Sequence, residues 1–295
     1  MIAAIRSRIN GLKKDREHGA GWFTTQAVSI LEEASSGSLA RTSENFVAEI
    51  GQVTTALAEA RPIMVSILNY VTEFKDEIDG AVTTSKSADN LKKRAAAIAR
   101  KLKAYNEDTS IKTARNAAKL IGQRDIIITC SYSSDVCLAL ELARQKGIDF
   151  KVLAVESRHG KISYGDMTLE RLKKAGIVGR IIPDNFVAWY AARANTILIG
   201  ADAVSLHGWM INGIPSYTLA LIASRKNVPV YLVCATTKID VRGFLAGLRT
   251  PAPGFDMVPL ELIKGIVTET GTLQPDNIYK MTTEDIFRSP RARSH

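Results

Sequence analysis

The amino-acid pattern predicts two architectures in series: a helical domain over residues 1–122 and an α/β domain with a parallel sheet over 123–295. Three observations carry this. The first part places apolar residues at helical spacing, and no β-branched run bounded by turns interrupts it. From Asp125 onward, short β-branched runs alternate with helical segments, which is the grammar of parallel strands joined by crossover helices. The runs are apolar throughout, as strands covered on both faces must be.

In the helical part, Phe46, Ile50, Val53 and Leu57 recur at helical spacing. So do Ile63, Ile67, Val71 and Phe74 after Pro62, a residue suited to a helix start. Residues 87–103 are rich in Ala, Leu, Lys and Arg, all strong helix formers. Gly19 and Gly21 precede a helix expected over 24–33, and about five helices fill this part. In the α/β part, strands are expected over 126–129, 152–155, 180–182, 196–199, 229–233 and 265–268. Helices are expected between them over 134–145, 167–175, 185–194 and 215–225.

The composition narrows the function classes. The chain has 295 residues, 46% hydrophobic and 23% charged, which excludes disordered and collagen-like classes. It has no apolar run of about 18 residues, so no membrane span is expected. Charges interleave with the apolar residues of the first segment, so no signal peptide is expected. Three cysteines, Cys130, Cys137 and Cys234, suggest neither a disulfide framework nor a zinc pattern, and a reducing cytoplasm is the expected setting. The net charge of +9 is spread in short clusters: 92–94, 100–101, 173–174 and the tail residues Arg288, Arg291 and Arg293. That spread suits solvated faces and does not favour a nucleic-acid partner.

Ligands of such sheets bind beyond the carboxyl ends of the strands. The first expected strand ends at Thr129-Cys130-Ser131-Tyr132-Ser133-Ser134, where small hydroxyl residues at a helix N-terminus either hold a phosphate or cap the helix. The second ends at Glu156-Ser157-Arg158, where Arg158 either clamps an anion or pairs with Glu156. The fourth ends at Gly200-Ala201-Asp202, a carboxylate suited to acid–base work or to capping a turn. The fifth ends at 234–238 with Lys238, a phosphate contact or a solvated charge. His159 and His207 read as surface residues. Trp189 and Trp209 read as packing residues. No P-loop or dinucleotide glycine fingerprint is present.

Together these residues resemble a known family. It holds the α, β and δ regulatory subunits of translation initiation factor 2B, archaeal ribose-1,5-bisphosphate isomerase and methylthioribose-1-phosphate isomerase. The resemblance rests on Gly200-Ala201-Asp202-Ala203-Val204, Gly208-Trp209-Met210-Ile211-Asn212, residues 217–223, Val228-Pro229-Val230-Tyr231 and Val267-Thr268-Glu269 with Gly271 and Pro275. Upstream, Thr129 with Ser133 and Val136, Glu156-Ser157-Arg158 and the Gly19-Ala20-Gly21 loop fit as well.

The resemblance implies an N-terminal helical domain and a C-terminal Rossmann-like domain that assembles into homodimers or larger homo-oligomers. It implies conversion of an aldose phosphate to a ketose phosphate, with a Cys in the first strand-end loop and an Asp in the Gly-Ala-Asp segment. Asp202 lies on that Asp, where the regulatory α subunit has Glu. The enzymes' loop reads Thr-His-Cys-x-Ser/Thr, so Cys130 takes the His place and Ser131 the Cys place. The Asn-Lys-Ile-Gly segment becomes Asn212-Gly213-Ile214-Pro215, and the Arg of the Arg-Gly-Ala-Gly loop becomes His18. The expectation is a sugar-phosphate isomerase-like protein with Asp202, Cys130 and Ser131 as catalytic residues. Gly19, Ala20, Gly21, Ser133, Arg158, Asn212 and Lys238 would hold a phosphorylated sugar or a nucleotide-derived small molecule, without metal or cofactor. The alternative is a non-catalytic regulatory or ligand-sensing subunit.

Overall fold

Among the described residues, five helices form the first part of the chain: α1 (Ala3–Lys14), α2 (Ala20–Ser36), α3 (Ser43–Ala60), α4 (Val65–Val82) and α5 (Ala88–Ala118). The computed structural model describes residues 2–83 and 87–287, so the expected cationic cluster at Arg288, Arg291 and Arg293 lies outside the described residues. The chain divides into two compact units, Met1–Asp108 and Thr109–His295.

In the helical unit, the spacing read from the sequence is the buried spacing: Phe46, Ile50, Val53 and Leu57 face inward from α3, and Ile67, Val71 and Phe74 from α4. Each such side chain contributes roughly 1.5–3 kcal/mol by leaving water. Thr42 caps α3 by accepting the Asn45 N–H at 3.2 Å. Two expectations change. Pro62 does not open α4, because the residue before a proline is driven out of the helical region; Arg61 lies outside it at φ −144°, ψ 69°, and a turn intervenes before Val65. Gly21 lies within the first turn of α2, with Gly19 as its N-cap.

The second unit runs through β1 (Ile126–Thr129), α6 (Ser134–Gln145), β2 (Lys151–Val155), β3 (Arg158–His159), β4 (Ile162–Ser163), α7 (Tyr164–Lys174) and β5 (Gly179–Ile182). It continues with α8 (Val187–Ala191), β6 (Thr196–Ile199), β7 (Ala203–Ser205), β8 (Trp209–Gly213), α9 (Ser216–Arg225) and β9 (Val230–Val233). Last come β10 (Ile239–Asp240), β11 (Phe255–Pro259), β12 (Gly265–Thr268) and β13 (Gly271–Leu273). The main sheet has the order β13-β12-β9-β6-β1-β2-β5 and is parallel except for β13. Alternate residues of its strands serve opposite faces. Ile127, Val152, Leu198, Val233 and Val267 pack with α6 and the end of α5. Ile128, Ile197, Ile199, Leu232 and Ile266 pack with α8 and α9.

The chain winds from β1 outward to β5, then returns to place β6 on the other side of β1. The switch point therefore lies between β1 and β6, where an open α/β sheet leaves a crevice at the strand carboxyl ends. A second sheet, β10-β7-β8-β11, sits beyond it. Its strands are two to five residues long, too short to carry a periodic signal in the sequence. The helix expected over 185–194 is a 3-10 turn followed by the short α8. Trp189, expected to pack, is 61% exposed.

Candidate functional site

Two loops meet at the switch point. A Cβ on Gly200, after β6, would lie 2.6 Å from Ser133 Oγ in the loop after β1. Ser133 caps α6, accepting the Val136 N–H at 3.3 Å. Asp202 follows two residues later, half-buried, its N–H bonded to Ile211 C=O at 2.9 Å.

Cys130 turns inward and is fully buried. Its sulfur lies 3.3 Å from Ser157 Oγ and 3.5 Å from Ser216 Oγ. Ser157 Oγ accepts the Ser131 N–H at 2.8 Å and also shares the hydrogen bond with the Cys130 sulfur. Ser216 Oγ accepts Asn212 Nδ2 at 2.8 Å, and its hydroxyl has Gly213 C=O at 2.6 Å and the Cys130 sulfur as acceptors. Burial pushes the Cys130 thiol up to about 11, against the easing effect of the two serines, and Asp184 and Asp256 raise it further. The group is a neutral thiol at physiological pH.

Ser131 has a left-handed backbone, φ +63°, and Ser157 another at +47°. Such strain needs support from its surroundings. Ser157 supplies it to Ser131, and Asp184 supplies it to Ser157: its carboxylate accepts the N–H groups of Ser157 at 2.7 Å and Arg158 at 3.1 Å. The Ser131 side chain faces Gly213, where a Cβ would come 2.5 Å from Ser131 Oγ.

The remaining candidates are already engaged. Lys238 is buried and pairs with Asp135 at 3.0 Å, and Ser110 donates to the other Asp135 oxygen at 2.6 Å. Burial pulls the Lys238 ammonium down, yet Asp135, with help from Asp202, holds it above the ordinary lysine value. Lys238 is thus neither solvated nor free of a carboxylate. Exposed Arg158 pairs with Glu156 at 2.9 Å, the ion-pair alternative. Gly19, Ala20 and Gly21 belong to the helical unit; Gly19 has φ −88° and needs no glycine freedom. His18 stacks on Trp22 at 3.8 Å and meets Asp15 at 2.9 Å.

Sequence reasoning missed Ser216, Asp135, Asp184 and Glu269 as organisers of this region. Glu269 accepts the Thr236 N–H at 3.0 Å and the Thr236 hydroxyl, and burial raises its carboxyl. Asp135 carried a readable signal, an acid in the first turn of a helix beside a strand end; the other three become visible only when distant segments come together.

The profile of the initiation factor 2 subunit family matches residues 16–246. The chain belongs to that family. It is 27% identical to a translation initiation factor eIF-2B subunit 2-like protein of Pyrococcus abyssi, over 90% of this chain and 95% of that protein. It is 25% identical to ribose 1,5-bisphosphate isomerase of Archaeoglobus fulgidus, over 82% and 81%. The crystal structure of the Pyrococcus horikoshii translation initiation factor eIF-2B superposes with a TM-score of 0.79 at 21% identity, covering 93% of this chain and 98% of that one. Isomerases and initiation-factor-like proteins are thus both represented among the relatives. Within the family frame, two departures at the site fit each other: Ser131 stands where the resemblance places the enzymes' Cys, Gly213 stands where it places a Lys, and the two are in contact.

Proposed function

We propose that this chain is a ligand-binding, regulatory member of the family, recognising a phosphorylated sugar or nucleotide-derived small molecule at the β1–β6 switch point without isomerase turnover. The observation that carries this reading is the inward turn of Cys130, fully buried with its thiol pushed up to about 11. Moving a proton between adjacent sugar carbons needs a base that touches substrate. A buried thiol of that acidity is ionised in only about one molecule in ten thousand at pH 7. The Ser131 hydroxyl, in the neighbouring position, ionises less readily still. A cytoplasmic homodimer or larger homo-oligomer is part of the same proposal, implied by the family resemblance.

A second reading, aldose–ketose isomerase, is favoured by one observation: Asp202 stays half-buried at the strand end, with its charge felt at Lys238. One experiment separates the two. Ribose 1,5-bisphosphate and methylthioribose 1-phosphate are each titrated in thermal unfolding, and product formation is followed by NMR. A ligand at a hundred times its Kd stabilises by about 2.7 kcal/mol, so a rise of several degrees that grows with the logarithm of ligand concentration, without turnover, is expected. Turnover that disappears in Asp202→Asn establishes the isomerase; absence of any shift overturns both.

A further inference from the structure

We propose that the outer edge of β5, together with the exposed side of the segment 186–193, is a docking surface for an extended acidic peptide segment that adds a strand to the main sheet. This rests on observations separate from the switch-point site. β5 is a terminal strand of the main sheet and, among the described residues, pairs only with β2. Val152 N–H bonds to Val178 C=O at 3.1 Å and Glu156 N–H to Ile182 C=O at 2.8 Å. Alternate residues of a strand face the same neighbour, so Val178, Arg180 and Ile182 address β2. The N–H and C=O groups of Gly179 and Ile181 point the other way, and no backbone group among the described residues pairs with them. An open edge of this kind is a template for strand addition.

The side chains beside that edge specify the chemistry. Val187 and Ala191 face the core, while Phe186 and Trp189 stay 53% and 61% exposed and Val178 71%. The Arg193 guanidinium lies 4.0 Å from the centre of the Trp189 ring. The Arg180 guanidinium lies 5.4 Å from that of Tyr190 and donates to its hydroxyl at 2.5 Å. Neither arginine meets a carboxylate among the described residues. Two unneutralised guanidinium groups on aromatic rings, next to exposed apolar side chains, fit acidic residues alternating with apolar ones. The open backbone favours a polypeptide over a nucleic acid, because it offers donors and acceptors alternately and a phosphodiester offers only acceptors. The chain's own net charge of +9 favours an acidic partner over a second copy.

The test uses the full chain and a fluorescent peptide of about twelve residues alternating Glu with Phe and Val. Binding is read by anisotropy at low salt. The expected result is saturable binding, weakened roughly tenfold or more by Arg180→Gln/Arg193→Gln. Ile181→Pro, which removes one outward N–H without cutting the β2 ladder, is expected to weaken it comparably. Circular dichroism and thermal unfolding verify that the variants are folded; Trp189→Ala, a change at an exposed side chain, gives a further readout should Ile181→Pro not fold. No saturable binding overturns the proposal, as does binding indifferent to Ile181→Pro in a folded protein or, where that variant does not fold, to Trp189→Ala. Tighter binding of a single-stranded oligonucleotide of similar charge reassigns the surface to nucleic acid. A change in sedimentation behaviour caused by the two arginine substitutions reassigns it to a second copy.

Discussion

Ser157 performs two tasks with one oxygen: it accepts the Ser131 N–H and hydrogen-bonds with the Cys130 sulfur. Replacing it with Ala leaves a buried N–H and a buried thiol without that partner. Ser157→Ala is therefore expected to lower stability by about 1–3 kcal/mol in urea unfolding. It is also expected to speed alkylation of Cys130, as the strained Ser131 backbone loses its hold. Gly213 tests the same loop from the opposite side. A methyl group there meets Ser131 Cβ at 2.9 Å as well as Oγ, so rotating the hydroxyl does not relieve the contact. Gly213→Ala is expected to cost about 1–3 kcal/mol. Ser131→Gly removes both the clash and the left-handed strain, so the double variant is expected to be more stable than the sum of the two single changes predicts. Strict additivity in that cycle would show that the two positions are not coupled.

At the scale of elements, the buried Lys238–Asp135 pair ties the segment after β9 to the first turn of α6. Lys238→Met strands a buried carboxylate, with an expected loss of about 3–5 kcal/mol. Adding Asp135→Asn removes that charge and is expected to recover most of the loss, as measured by denaturant midpoints at equal m-value. The same elements show what was legible beforehand. The strands at 126–129, 196–199 and 265–268 have the limits the sequence predicts, because continuous β-branched runs between turn residues leave little choice. The β10–β7–β8–β11 sheet is not legible in the sequence, since strands of two to five residues carry no periodic signal. The Asp202 loop was legible as a strand end. Its neighbours Ser216 and Asp184 were not, because their roles depend on contacts 86 residues from Cys130 and 27 from Ser157. Lys238 and Arg158 were legible as charges, but their partners decide what they can bind.

At the scale of the whole molecule, all three cysteines are buried beside or within the main sheet, and this gives the protein an alkaline limit. Burial pushes Cys130 up to about 11 and Cys137 and Cys234 up to about 12, from the ordinary 9.0 that the unfolded chain keeps. Below pH 9 both states hold all three protons, and the stability from burying neutral thiols is fully present. Above it the unfolded chain releases protons that the folded one retains, so stability falls until the folded thiols themselves ionise near pH 11–12. Each thiol contributes a slope of at most about 1.4 kcal/mol per pH unit, so the three together reach about 4 kcal/mol per unit. Lys238 adds to the loss only above its ordinary 10.5, because its folded value is raised. Urea unfolding compared between pH 8 and pH 10 therefore isolates the thiols from Lys238. The native protein is expected to lose stability over that interval, and a variant with all three cysteines changed to Ala, though less stable at pH 8, is expected to show a flatter dependence. An equal slope in the two proteins would mean that the thiols are accessible enough to ionise in the folded state, and that would also remove the main physical objection to Cys130 as a proton carrier.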